Sequence, residues 1–136
     1  MIKKIKLDTK NRIEIVNITE DVKKAVESSK IQSGICVVYT KHTTSAITIN
    51  ENEDINIRDD ILNSLNFVQR GIWKHDNRCE RINGDAHVKA SLISPSETIP
   101  IIDGELTLGK YQDIYFCEFD GPREGREIII SVIKDR

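Results

Sequence analysis

Apolar and polar residues alternate at the start of the chain, with Ile5 and Leu7 on one side of Asp8-Thr9-Lys10-Asn11 and Ile13 and Ile15 on the other. A period of two predicts a strand, a turn and a second strand, hence an antiparallel start. Thr19 then offers an N-cap, Glu20 and Asp21 occupy a first turn where the helix dipole favours acids, and Val22, Ala25 and Val26 form a narrow apolar stripe. These signals predict a short helix that stops before Gly34. Gly34 to Thr40 is β-branched and nearly continuous, as a buried central strand requires, and Ala46-Ile47-Thr48-Ile49 reads as its neighbour. Asn50 with Glu53 three residues on resembles a capping box. Ile57, Ile61 and Leu65 at four-residue spacing, flanked by Ile55 and Leu62, predict an amphipathic helix from about Glu51 to Asn66.

From Val68 to Asp85 the chain turns polar and reads as a long loop, with Trp73 as its anchor. The remainder, His87 to Ile133, reads as four or five strands, with His87 opening the first of them. Their breaks are Ser94-Pro95-Ser96, Asp103-Gly104, Leu108-Gly109 and Gly121-Pro122, the turn chemistry of an antiparallel meander. The expected fold is α+β, a mostly antiparallel β-sandwich with two helices, in one domain spanning residues 1–136.

Composition narrows the function classes. Charged residues make up 31% of the 136 residues, both signs are interspersed and the net charge is −2, so there is no basic stripe to neutralise a nucleic-acid backbone. No apolar run approaches the roughly 20 residues that span a bilayer, and Met1 to Lys6 alternates without a signal peptide's apolar block. No membrane partner and a cytoplasmic location are the expectation. Of three cysteines, Cys36 and Cys117 sit in apolar strand-like runs and read as small core residues.

The concentrated chemistry is histidine. His42 follows the predicted buried strand and precedes Thr43, Thr44 and Ser45; His75 lies in the polar loop; His87 follows Asn83-Gly84-Asp85-Ala86. Each stands at a junction between regular elements, and three imidazoles with an open fourth position suit a divalent metal such as zinc. Cys79, four residues after His75, competes as a ligand or stands as a loop thiol. Glu51 and Glu53 follow the second strand of the hairpin; a carboxylate there serves as a general base or simply caps a helix. In Asp120-Gly121-Pro122-Arg123-Glu124-Gly125-Arg126 the glycines permit a tight turn, and the two arginines either grip a phosphate or carboxylate or lie solvated on a hairpin. No glycine-rich dinucleotide or P-loop signature occurs.

His42-Thr43-Thr44-Ser45-Ala46, Asn50-Glu51, Asn83-Gly84-Asp85-Ala86-His87, Leu106-Thr107-Leu108-Gly109, Gln112 and Asp120-Gly121-Pro122-Arg123 occur in an order that resembles the YjbQ family over essentially the whole chain. The resemblance implies a compact β-sandwich with helices, a homotrimer, and a metal or anion site lined by histidines. His42, His75 and His87 match the family's histidine positions, Glu51 its acidic position and Arg123 its terminal arginine. Where the family has Leu-Gly-Thr-Trp-Gln, this chain has Leu108-Gly109-Lys110-Tyr111-Gln112. The family's other label, secondary thiamine-phosphate synthase, implies a phosphorylated pyrimidine and a thiazole phosphate as substrates.

The expectation is therefore a small metal- or phosphate-dependent enzyme. Its metal ligands would be His42, His75 and His87, its catalytic residues Glu51 and His42, and its anion-binding residues Thr43, Thr44, Asn83 and Arg123. The alternative is a non-catalytic binding module for a phosphorylated metabolite. A third reading is a structural oligomer whose histidines satisfy buried polar groups. Exposed strand edges in a small sheet protein also favour closed symmetric association, here a homotrimer.

Overall fold

Alternation along the last strand decides which side of the molecule is dry. Arg126, Ile128, Ile130 and Val132 point inward and are buried, while Glu127, Ile129 and Ser131 between them are half-buried. A computed structural model describes residues 1–78 and 80–136. Its elements in chain order are β1 (Ile2–Leu7), β2 (Glu14–Asn17), α1 (Thr19–Ser29), β3 (Ser33–Thr40), β4 (Ser45–Glu51), α2 (Asn56–Ser64), α3 (Gly84–Ile93), β5 (Ser96–Ile102), β6 (Glu105–Leu106), β7 (Gln112–Glu118) and β8 (Arg126–Lys134). Short 3-10 segments, Leu65–Phe67 and Lys74–Asn77, lie between α2 and α3.

The strands form two antiparallel sheets, ordered β1-β8-β3-β5-β6 and β2-β7-β4. In the larger sheet Cys36 opposes Val132 and Val38 opposes Ile130, so two inward rows coincide across the ladder. Ile47 on β4, Ile114 and Phe116 on β7, and Val22, Ala25 and Val26 on α1 close the same core from the other side. A second cluster, Ala46, Cys117, Phe119, Ala86, Ala90 and Leu65, lies under α3. The fold is α+β, as expected.

Three local expectations are corrected. The two expected early hairpins do not form: β1 pairs with β8 and β2 with β7, while β3 pairs with β5 and β8, and β4 with β7. Among the described residues only β5 and β6 pair as sequence neighbours, across the expected Asp103-Gly104 turn. The chain crosses from one sheet to the other at residues 8–13 and 41–44 instead of turning back on itself. The second helix is shorter than expected, because β4 runs on to Glu51, with Asn50 opposite Asp113 and Glu51 opposite Gln112. Asn50–Glu53 is thus no capping box; Asp54 Oδ1 accepts the Asn56 N–H at 2.9 Å just ahead of α2.

There are also three α-helices where two were expected, and His87 lies in α3 instead of opening a strand. Helix α3 hides from a hydrophobicity reading because its buried face is half polar. Ala86 and Ala90 share that face with Asp85 and Lys89, both at most 5% exposed. Arg12 grips Asp85 with both terminal nitrogens at 3.0–3.2 Å, and Lys89 Nζ lies 3.7 Å from the same carboxylate. An i,i+4 ion pair completed by a third charge replaces the apolar stripe.

Thr19 is the first residue of α1 and not its N-cap, which is Ile18; Asn17 Oδ1, just ahead of the helix, accepts the Thr19 N–H at 3.0 Å and its hydroxyl at 2.7 Å. The freed Thr19 Oγ1 accepts the Ile114 N–H at 2.8 Å and so ties α1 to β7. Among the described residues no helix is long and apolar enough to cross a membrane.

Cys36 and Cys117 are buried core residues, as expected, and burial pushes their thiols up to about 11 and about 12. Thiolate is the reactive form, so both should be silent to a thiol reagent in native protein at pH 8. In a Cys79→Ser variant, titration with a chromogenic disulfide should find no thiol before denaturant and two after it. A fast native reaction would contradict the burial.

Candidate functional site

Glu118 ends β7 without exposed side-chain surface, and a carboxylate so placed has to be hydrogen-bonded on both oxygens. Arg126, at the start of β8, bridges it with Nε on Oε1 at 2.9 Å and Nη2 on Oε2. Thr9 Oγ1 donates to Oε1 at 2.8 Å and the Asp120 N–H to Oε2 at 3.2 Å. Arg126 Nη2 also reaches Thr44 Oγ1 at 2.9 Å. The connection from β7 to β8 starts from this knot. Its Gly121 is obligatory, since a Cβ there would lie 2.1 Å from the Asn11 carbonyl oxygen.

Asp120, one residue earlier, is 3% exposed and collects three side chains. Its carboxylate accepts Asn83 Nδ2 at 2.8 Å, Arg123 Nη2 at 2.8 Å and Arg81 Nε at 3.1 Å. Its carbonyl oxygen accepts Arg123 Nε at 2.9 Å and Arg81 Nη2 at 3.0 Å. Burial works to raise this carboxyl's pKa, but the bonds from Asn83, Arg123 and Arg81 outweigh it and hold the group below its ordinary value. Two guanidiniums on one carboxylate leave a net positive charge, and neither Nη1 is used in the grip.

Asn83 precedes α3, and its carbonyl accepts the Ala86 and His87 N–H groups at 3.0 and 3.3 Å. Asp76 in the second 3-10 segment accepts the Gly84 N–H at 2.8 Å and the Trp73 N–H at 3.2 Å. The bond from Gly84 is the main reason the Asp76 carboxyl is lowered. Trp73 anchors this stretch, as expected: it packs so closely that a Cβ on Gly84 would lie 2.6 Å from its own Cβ. The result brings His75 beside His87, with ring centroids 4.5 Å apart and planes tilted by 53°. Burial, then the neighbouring His75, lowers the His87 pKa. Asn83 Oδ1 is buried with no hydrogen-bond partner among the described residues.

The expected site residues thus divide. His75, His87, Asn83 and Arg123 are gathered around Asp120 and the start of α3. Thr44 is buried and serves Arg126, while Thr43 beside it is exposed. Arg126, read as a second anion grip, spends its fork on Glu118. Glu51 lies at the far end of β4 from His42, about 20 Å along the strand from Ser45. There its Oε1 accepts the Glu53 N–H at 3.2 Å. His42 holds the turn after β3, with Nε2 accepting the Glu127 N–H at 2.9 Å.

Among the described residues no three His, Cys, Asp or Glu side chains stand together as a metal-holding group. Cys79 lies outside the described residues. Asp120, Arg81 and Asp76 were not singled out as individual site residues. For Asp120 the signal was present, as the first residue of the Asp-Gly-Pro-Arg turn.

Comparison with known proteins places the chain among relatives. The family profile described as UPF0047 protein YjbQ-like matches residues 3–135. A UPF0047 protein of Methanocaldococcus jannaschii is 43% identical over 136 residues, covering 100% of this chain and 96% of the relative. UPF0047 protein YugU of Bacillus subtilis is 40% identical over 124 residues, 90% of this chain and 92% of the relative. Among solved structures, a YbjQ-like protein of unknown function from Sulfolobus solfataricus superposes with a TM-score of 0.93 at 31% identity, over 99% of this chain and 97% of that one. A yjbq/upf0047 family protein from Clostridium acetobutylicum gives 0.89 at 44% identity, over 96% and 99%.

Two outcomes follow from the geometry. Arg126→Ala leaves Glu118 buried and uncompensated, and chemical denaturation should report a loss of about 3–5 kcal/mol. Burial lowers both His42 and His87 from the ordinary value of 6.5, so the unfolded chain binds more protons just below that pH. Their contribution to stability is complete above about pH 6.5 and is lost as the pH falls through the window beneath it. Histidine NMR titrations should place both midpoints under 6.5; midpoints above it would contradict the burial.

Proposed function

The chain belongs to the YjbQ-like UPF0047 family, and we propose that it binds a phosphorylated small molecule where Asp120, Arg81, Arg123 and the start of α3 meet the His75–His87 pair. The observation that carries this reading is the Asp120 grip: one buried carboxylate holds two guanidiniums in place and neutralises only one of them. A guanidinium oriented in advance loses little freedom when it meets an anion. The N-terminal end of α3 adds partial positive charge. A phosphorylated metabolite fits this chemistry as a class, and so do the phosphorylated pyrimidine and thiazole phosphate that the synthase label implies.

That the bound molecule is turned over is a second reading, and the contact between His75 and His87 favours it. With its pKa below the ordinary value, His87 is neutral near pH 7 and holds both a donor and an acceptor nitrogen, as a general acid–base group requires. The divalent metal expected from sequence fits less well. Two imidazoles adjoin and the buried Asn83 Oδ1 has no partner among the described residues, but the third imidazole, His42, already uses Nε2 on a backbone amide.

Calorimetric titration with inorganic phosphate and simple phosphomonoesters tests the proposal. Arg123→Ala should cost roughly 1.5–3 kcal/mol of binding by removing a charge-assisted bond. Added salt should weaken binding to wild type. Lys110→Ala, on a loop remote from Asp120, should change nothing. His87→Gln should leave affinity near wild type and slow any turnover by about 10²-fold. Equal affinity of wild type and Arg123→Ala for every phosphorylated compound would sink the reading.

A further inference from the structure

The sequence offers His42 as one of three metal-binding imidazoles, and its hydrogen bond argues for a different chemistry. A main-chain amide cannot give up its hydrogen, so at the 2.9 Å contact between Glu127 N–H and His42 Nε2 the ring nitrogen must be the acceptor. An imidazole whose Nε2 lone pair is used this way carries its proton on Nδ1. Coordinating a metal through Nε2, or taking a proton there, would require releasing the Glu127 amide into a half-buried position.

The surroundings of His42 reinforce this arrangement from both sides. The His42 N–H donates to Thr40 Oγ1 at 3.3 Å, and Ser45 Oγ donates to the His42 carbonyl at 3.4 Å, so the turn is tied at its two ends. On the strand facing it, the Glu127 carboxylate holds Lys41 Nζ at 3.4 Å and Lys4 Nζ at 3.7 Å. Arg126, one residue before Glu127, is locked to Glu118 and to Thr44 of the same turn. The ring is therefore clasped to β8 on its Nε2 side, and no described residue takes its Nδ1–H.

We infer that His42 is fixed as the Nδ1–H tautomer, latching the turn after β3 to β8 and meeting any ligand as a hydrogen-bond donor to an oxygen, never as a metal ligand or a proton acceptor. A phosphate or carbonyl oxygen is the chemistry that a fixed N–H donor recognises. The inference is independent of whether the Asp120 site takes a phosphorylated molecule, because it rests on the acceptor state of one nitrogen.

Glutamine separates the two roles, since its side-chain oxygen reaches about where Nε2 stands and can accept the Glu127 amide, but it cannot replace an imidazole as a metal ligand. Long-range nitrogen–proton NMR of wild type should show His42 protonated on Nδ1. His42→Gln should melt within a few degrees of wild type, and His42→Ala should melt roughly 5 °C lower. Any stoichiometric Co2+ binding seen in the visible spectrum of wild type should survive in both variants. A wild type that binds no Co2+ also supports the inference, because a three-imidazole set would bind it. An Nε2-protonated His42, or loss in both variants of Co2+ that wild type holds, would overturn it. Melting of His42→Gln as low as that of His42→Ala would remove the latch.

Discussion

The ion pair between Glu118 and Arg126 is the contact on which the other parts of this molecule are arranged. Removing two charges from water costs several kcal/mol each, and only complete pairing of their polar edges offsets it. Here the edges are filled by groups from three different crossings between the sheets: Thr9 from the β1–β2 connection, Thr44 from the β3–β4 turn and the Asp120 amide from the β7–β8 connection. Glu118 belongs to the smaller sheet and Arg126 to the larger, so the pair joins the sheets at the end where the chain repeatedly changes sides. An apolar contact would not set that angle, because dispersion has no direction, whereas a forked guanidinium on a carboxylate does.

The candidate site is mounted on that joint. Thr9 Oγ1 accepts the Arg123 N–H at 2.9 Å while it donates to Glu118, so one hydroxyl couples the buried pair to the backbone of the Asp-Gly-Pro-Arg turn. Asp120 then orients Arg81, Arg123 and Asn83, and Asn83 sets the start of α3 and hence the place of His87. A second ion cluster, half-buried Arg12 with buried Asp85 and Lys89, also pins α3. Burial outweighs the nearby Asp85 and lowers the Lys89 pKa, which marks this contact as a desolvated structural tie. The site's cations are thus held in position by buried carboxylates before any ligand arrives.

The strands were legible in the sequence because their signals are local: Ile5, Leu7, Ile13 and Ile15 alternate with polar residues, and Gly34 to Thr40 is a continuous β-branched run, whatever these strands pair with. The cysteine burial, the first helix and the α+β class follow from the same short-range pattern. The histidines and the terminal turn could be recognised as chemistry-bearing from residue type, and four of the expected residues, His75, His87, Asn83 and Arg123, do gather. What local pattern could not supply was partnership. Strand neighbours were misassigned because pairing is decided by where the chain crosses between sheets, and those crossings are stabilised by Thr9, Thr44 and Asp120 meeting groups far away in sequence. Helix α3 was missed because its buried face is an ion pair, whose burial is tolerable only with Arg12 in place. The contacts of Arg126, Glu51 and His42 were likewise decided by the tertiary structure, since a charge or an imidazole has no fixed partner in the sequence alone: Arg126 meets Glu118, Glu51 stands at the far end of β4, and His42 gives its lone pair to an amide 85 residues away.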